Sequence, residues 1–138
     1  MNETPEQRSR TMRAVKDRNT APEIAVRRMV HSMGYRFRLH RKDLPGKPDL
    51  VLPRLKTVIF VHGCFWHGHN CARGARMPKT NVVYWRAKIG RNRERDQSHV
   101  GALKADGWRV AIVWECALRN PEKVELRLAR VLNAKAHG

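Results

Sequence analysis

Hydrophobic positions change their period several times along the chain, and each change marks an element. From Val26 through Met29, Val30 and Met33 they recur every three or four residues, which predicts a helix with one buried stripe. Arg27, Arg28 and His31 fall on its other side. Thr20-Ala-Pro-Glu23 ahead of the stripe has the form of a capping box. Pro22 sits in the first turn, where a missing N–H costs little, and Gly34 ends the run. Tyr35, Phe37 and Leu39 then alternate with Arg36, Arg38 and His40, the period of a half-exposed strand. Pro45-Gly46-Lys47-Pro48 predicts a turn that releases Asp49–Leu52. After Pro53-Arg54, Leu55–Val61 completes a hairpin and is apolar enough to be a central strand.

A long helix is expected over Val82–Asp106, with Trp85, Ile89 and Leu103 inward, a basic face outward and Gly107 past its end. Arg109–Trp114 reads as another buried strand, and Pro121–Ala136 as a closing amphipathic helix carrying Val124, Leu128, Val131 and Leu132 on one face. Helix, three strands, helix, strand, helix predicts an α/β domain, a mixed sheet flanked by helices, over residues 20–138. Residues 1–19 have no such stripe, with Met12 and Val15 as their main apolar side chains, and are expected to form a flexible basic arm.

Charge adds a partner to this picture. Twenty-nine Lys and Arg against 12 Asp and Glu give a net charge of +17, which calls for a polyanion, nucleic acid before all others. No apolar run approaches the ~20 residues of a spanning helix, and Met1–Arg10 has no signal-like apolar stretch. A membrane partner is therefore not expected. Three cysteines are an odd number at spacings that suit a metal better than disulfides, so a reducing cytoplasm is the expected location.

The densest chemistry lies in His62-Gly-Cys-Phe-Trp-His-Gly-His-Asn-Cys71. Cys64, His69 and Cys71, joined by Cys116 at the end of a later strand, make up the four ligands of a closed, structural zinc site and use every cysteine. Two arrangements compete with it. His67 and His69 could ligate a catalytic zinc, or His67 could replace His69. Phe65 and Trp66 are large apolar side chains in a polar loop, fitted either to cover the metal or to wedge between base pairs.

Beside this loop lies an acid. Asp49 opens the first hairpin strand and should come near the end of the second, close to His62. An aspartate with a backbone carbonyl suits Mg²⁺, and metal-assisted phosphodiester hydrolysis also needs a base, for which His67 is the candidate. On its own Asp49 reads first as a turn or strand-start carboxylate, and Glu23 as the reciprocal acid of its capping box.

Several segments closely resemble one family. They are Thr11-Met-Arg-Ala-Val, Asn19-Thr-Ala-Pro-Glu23, Leu44-Pro-Gly-Lys-Pro-Asp49, Val58-Ile-Phe-Val-His-Gly-Cys-Phe-Trp-His67, Trp85-Arg-Ala-Lys-Ile-Gly, Glu94-Arg-Asp96 and Gly107-Trp-Arg-Val with Val-Trp-Glu-Cys116. They resemble the very-short-patch repair (Vsr) endonucleases, bacterial enzymes acting on DNA mismatches. The resemblance implies a restriction-endonuclease-like fold, a structural zinc, and Mg²⁺-dependent nicking beside a T·G mismatch left by deaminated 5-methylcytosine. It implies Asp49 as the Mg²⁺ aspartate with Val61 offering its backbone, His67 as general base, Glu23 as the acid supporting it, and His62 and Asp96 as further active-site residues. Met12, Val15, Phe65, Trp66, Trp85 and Lys88 fall at its DNA-contacting positions. A monomer linked functionally to a DNA cytosine methyltransferase is the expected setting. Val61 stands where the family commonly has threonine, and Gly68 where it has histidine; the family's nucleases also lack the usual acid-and-lysine pattern on the second strand.

Overall fold

In a computed structural model the chain is described over residues 20–39, 41–69, 71 and 80–133. The arm expected over 1–19, with Met12 and Val15, lies outside the described residues.

Helix α1 (Ala21–Ser32) starts where the capping residues predict. Thr20 is extended, and its hydroxyl accepts from Glu23 N at 3.4 Å. The four strands β1 (Arg38–Leu39), β2 (Leu50–Leu52), β3 (Thr57–His62) and β4 (Arg109–Trp114) form one sheet in sequence order. The first three are antiparallel, and β4 joins β3 in parallel. That parallel pairing needs a crossover, which the long helix α2 (Val82–Ala105) provides. Helix α3 (Pro121–Asn133) closes the described chain.

Alternation along the strands explains the layering. Leu50, Leu52, Ile59, Ala111 and Val113 point to one face, where Val26 and Val30 of α1 and Val124, Leu128 and Leu132 of α3 cover them. Val51, Val58 and Phe60 point to the other, under Leu103 of α2 and Trp108. Both faces are buried, as the nearly continuous apolar runs of β2 and β3 require.

Two boundaries differ from the periodicity. The first strand is only Arg38–Leu39, since its partner β2 has three residues, bracketed by Pro48 and Pro53, which offer no N–H to a ladder. Tyr35 and Phe37 pack against the core from outside the ladder. The strand expected from Leu55 begins at Thr57, because Pro53–Leu55 forms a 3₁₀ turn ending in left-handed Lys56 (φ 49°). Ile89 and Leu103 are buried on α2 as the pattern predicts, whereas Trp85 is only half-buried.

Candidate active site and metal centre

Parity along β3 decides where the histidines go. His62 follows Val58 and Phe60 on the face toward α2, and its register partner Trp114 stands on the same face of β4. The two rings meet edge to face at 5.1 Å. Two residues further along each strand, the same register brings Cys64 beside Cys116, and Cys116 N–H donates to Cys64 Sγ at 3.3 Å.

Cys64, His69, Cys71 and Cys116 each place one ligand atom within 4.8 Å of the others. Zn–S and Zn–N bonds of about 2.3 and 2.0 Å at a tetrahedral angle put their donor atoms about 3.5 Å apart. Cys116 Sγ and His69 Nδ1 are 3.5 Å apart. Burial pushes the Cys64 thiol up to about 12, opposed by the Cys116 N–H bond and helped by the neighbouring Cys71 and Cys116 thiols. Cys64 is buried and its neighbours Cys71 and Cys116 are half-buried, so the thiol cluster is costly to ionise, and a thiophilic dication reverses that cost. The donor set therefore fits zinc. His69 stacks on Trp114 (4.2 Å, 20°), which orients its ring. Of the arrangements open from the sequence, the geometry groups His69 with the cysteines and His67 elsewhere.

His67 lies under a parallel His62 ring, 3.8 Å centroid to centroid at 4°, and its Nδ1 meets Asp96 Oδ2 at 2.6 Å. Asp96 reaches it from α2. His62 is 5% exposed, and its Nδ1 has no hydrogen-bond partner among the described residues. Burial lowers its pKa to about 4, His67 adds to the effect and Asp96 opposes it, so His62 is a neutral ring at neutral pH.

Asp49 extends the hairpin ladder by one bond, donating from its N–H to Ile59 O at 3.1 Å. Its carboxylate folds back to accept from Val61 N–H at 2.6 Å. Carboxylate and backbone of opposed strands are thus clipped together, and the Asp49 carboxylate supplies the kind of oxygen donor that suits a hard dication. Glu23, 4% exposed on α1, accepts from Arg27 at 2.9 Å. Glu23, Asp49, Val61, His62, His67 and Asp96 all line one cleft of about 740 Å³.

Phe65 and Trp66 stand in the wall of the same cleft. With Trp85 they form a mutually edge-on triad, at 5.0 Å between Phe65 and Trp66, 5.6 Å between Phe65 and Trp85, and 5.8 Å between Trp66 and Trp85. All three are half-buried, so they support one another rather than vanish into the core. Lys88, half-buried one turn beyond Trp85, lies outside the cleft lining.

Sequence reasoning missed several supports. Asn92 Nδ2 donates to Trp66 O at 2.8 Å and so holds the aromatic loop to α2. Glu115 accepts from Cys64 N–H at 3.4 Å and lines the cleft. Trp114 separates the His62–His67 stack from His69. Arg95 and His99 add basic lining with Lys42 and Lys47. Helical spacing held the signal for part of this. Trp85, Ile89, Asn92, Asp96 and His99 recur every three or four residues on one stripe of α2.

Comparison with known proteins decides the family. Residues 2–73 match the family described as DNA mismatch endonuclease Vsr. The chain belongs to the Vsr family. It is 55% identical over 130 residues to the type II nicking enzyme V.XorIIP of Xanthomonas oryzae pv. oryzae, covering 94% of this chain and 95% of that one. It is 46% identical over 117 residues to the DNA mismatch endonuclease Vsr of Escherichia coli, covering 85% and 74%. The catalytic domain of the homing endonuclease I-Bth0305I shares its fold, with a TM-score of 0.61 at 19% identity over 86% of this chain and 99% of that one. The protein is thus a Vsr-family DNA endonuclease on a restriction-endonuclease-like sheet. Among the described residues no helix is long and apolar enough to cross a membrane.

Proposed function

We propose that this Vsr-family chain nicks one strand of duplex DNA beside a T·G mismatch left by deaminated 5-methylcytosine, and so starts very-short-patch repair. The observation that carries the reading is the shared cleft, in which the Asp49–Val61 clip, the His67–Asp96 pair and the Phe65–Trp66 wall lie together.

Asp49, with the backbone of Val61, would hold Mg²⁺, whose chemistry there is Lewis-acid polarisation of the scissile phosphate. Asp96 keeps a proton on Nδ1 of His67 and leaves Nε2 to take one from the attacking water. Neutral His62, stacked against it, keeps that ring in its plane without adding a positive charge beside it. Glu23 adds a buried carboxylate to the same cleft, held in place by Arg27.

Recognition belongs to the aromatic triad. A wobble pair stacks less well than a matched one, and unstacking a step costs a few kcal/mol, so a rigid wedge gains selectivity where that cost is lower. Zinc on Cys64, His69, Cys71 and Cys116 would supply the rigidity, since it closes the loop that carries Phe65 and Trp66. Affinity for the backbone comes from the basic surface and falls steeply with salt. The enzyme would act as a cytoplasmic monomer, wherever a DNA cytosine methyltransferase creates its substrate.

A nicking assay on duplexes carrying each mismatch, and none, in several flanking contexts tests the substrate. Nicking confined to T·G is the expected result. Equal cutting of fully matched DNA would overturn it in favour of a restriction endonuclease.

A further inference from the structure

We propose that His62, His67 and Asp96 form a second, weaker site for a divalent transition cation such as Zn²⁺, whose occupation switches nicking off. The inhibitory half rests on His67 being the base; the binding half does not.

Three observations carry the site. Each of the three side chains puts one donor atom within 4.8 Å of the other two. A tetrahedral zinc wants nitrogen and oxygen donors about 3.4 Å apart, so the widest pair closes by at most about 1.4 Å while the His67–Asp96 pair opens by about 0.8 Å. Asp96 Oδ2 already stands 2.6 Å from His67 Nδ1, so carboxylate and imidazole present their donor atoms to the same point. His62 is 5% exposed and its Nδ1 is buried without a partner, a cost that a bound cation removes.

The donor set selects the ion. Two imidazoles and a carboxylate suit zinc, copper or nickel, while Mg²⁺ prefers oxygen and keeps its water. Mg²⁺ would therefore stay at Asp49 and compete poorly here. The parallel stack of His62 and His67 directs their in-plane lone pairs alongside each other rather than at one point. Binding must open that stack, which makes this site weaker than the cysteine site and reversible by a mild chelator. An ion shared with Asp96 sits on Nδ1 of His67, so the proton of the neutral ring passes to Nε2 and the lone pair that water needs there is lost. A protein holding one zinc for structure would thus be inhibited by an excess of the same metal.

The test is equilibrium dialysis of the zinc-loaded full-length protein against buffered free Zn²⁺ raised into the micromolar range, with metal counted by elemental analysis. The expected result is a second zinc per chain, removed by a mild chelator that leaves the first. His62→Gln and Asp96→Asn, each checked for a retained first zinc and an unchanged circular dichroism spectrum, should weaken the second site at least about tenfold. Saturation at one zinc, or a second zinc held equally well by both variants, would overturn the site. Nicking in Mg²⁺ should fall with the same zinc midpoint as the binding. Binding with undiminished nicking would overturn the inhibitory role, and with it the reading of His67 as base, while leaving the site itself standing.

Discussion

Gly68→Ala is a one-methyl change whose cost can be worked from the structure. Gly68 sits between His67 and His69 at φ 63°, in the left-handed region. An L-residue there costs about 1–2 kcal/mol. An added Cβ would also lie 2.7 Å from Ile89 Cγ2 and 2.7 Å from Arg93 Cδ. Arg93 is exposed and can swing away at small cost. Ile89 is 6% exposed and packed on α2, so it must shift, and overpacking of this kind costs about 1–3 kcal/mol. The two effects together destabilise by about 2–5 kcal/mol. The backbone cannot simply relax, because His67 N–H, Gly68 N–H and His69 N–H bond to Gly63, Phe65 and Cys64 carbonyls at 3.2, 3.2 and 3.0 Å. Gly90→Ala is the matched control. It lies inside α2, and its Cβ would meet nothing within 4 Å. There the loss of glycine's unfolded-state freedom should stabilise by about 0.5–1 kcal/mol. Urea unfolding of the zinc-loaded proteins measures both. Opposite signs are expected, and a Gly68→Ala protein as stable as the parent would refute the account of this loop.

Three further outcomes follow from the same geometry. Cys116→Ala should lose the structural zinc and several kcal/mol of folding energy, because binding and folding share that free energy; elemental analysis of well-folded parent protein showing no zinc would contradict this. Asp96→Asn should slow single-turnover nicking by about 10²–10⁴, or about 2.7–5.4 kcal/mol in barrier, since an amide can hold the wrong tautomer of His67. An unchanged rate would remove Asp96 from the mechanism. Trp66→Ala should weaken binding to T·G duplex far more than to matched duplex with the salt slope nearly unchanged, and equal losses in a zinc-retaining variant would make Trp66 a packing residue.

Local patterns made much of this legible. Val26 and Val30 had helical spacing, and a hairpin from Asp49 to Val61 necessarily brought that carboxylate to the end of β3. Alternation misjudged Tyr35–Leu39 because it reports which side a residue faces, not whether a neighbouring strand is long enough to pair. The pairing of Asp96 with His67 spans 29 residues and depends on how α2 lies over the sheet, which no local period encodes. Only the family resemblance pointed there. Cys116 is an intermediate case. Ligand count alone grouped it with Cys64, and the parallel register His62↔Trp114 supplies the physical reason, leaving them side by side two residues later. Asn92 and Glu115 escaped notice because each acts through a backbone group of the metal loop, whose path sequence alone does not give.

The most direct test of the central claim is single-turnover, strand-resolved nicking of a T·G duplex in Mg²⁺ by the parent, Asp49→Ala and His67→Ala, with duplex binding measured on the same preparations. The parent should cut one strand beside the mismatch. Asp49→Ala should cut nothing above background, and His67→Ala about 10²–10⁴ more slowly, while both still bind the mismatch. Full-rate nicking by both variants would place the catalytic centre somewhere other than this cleft.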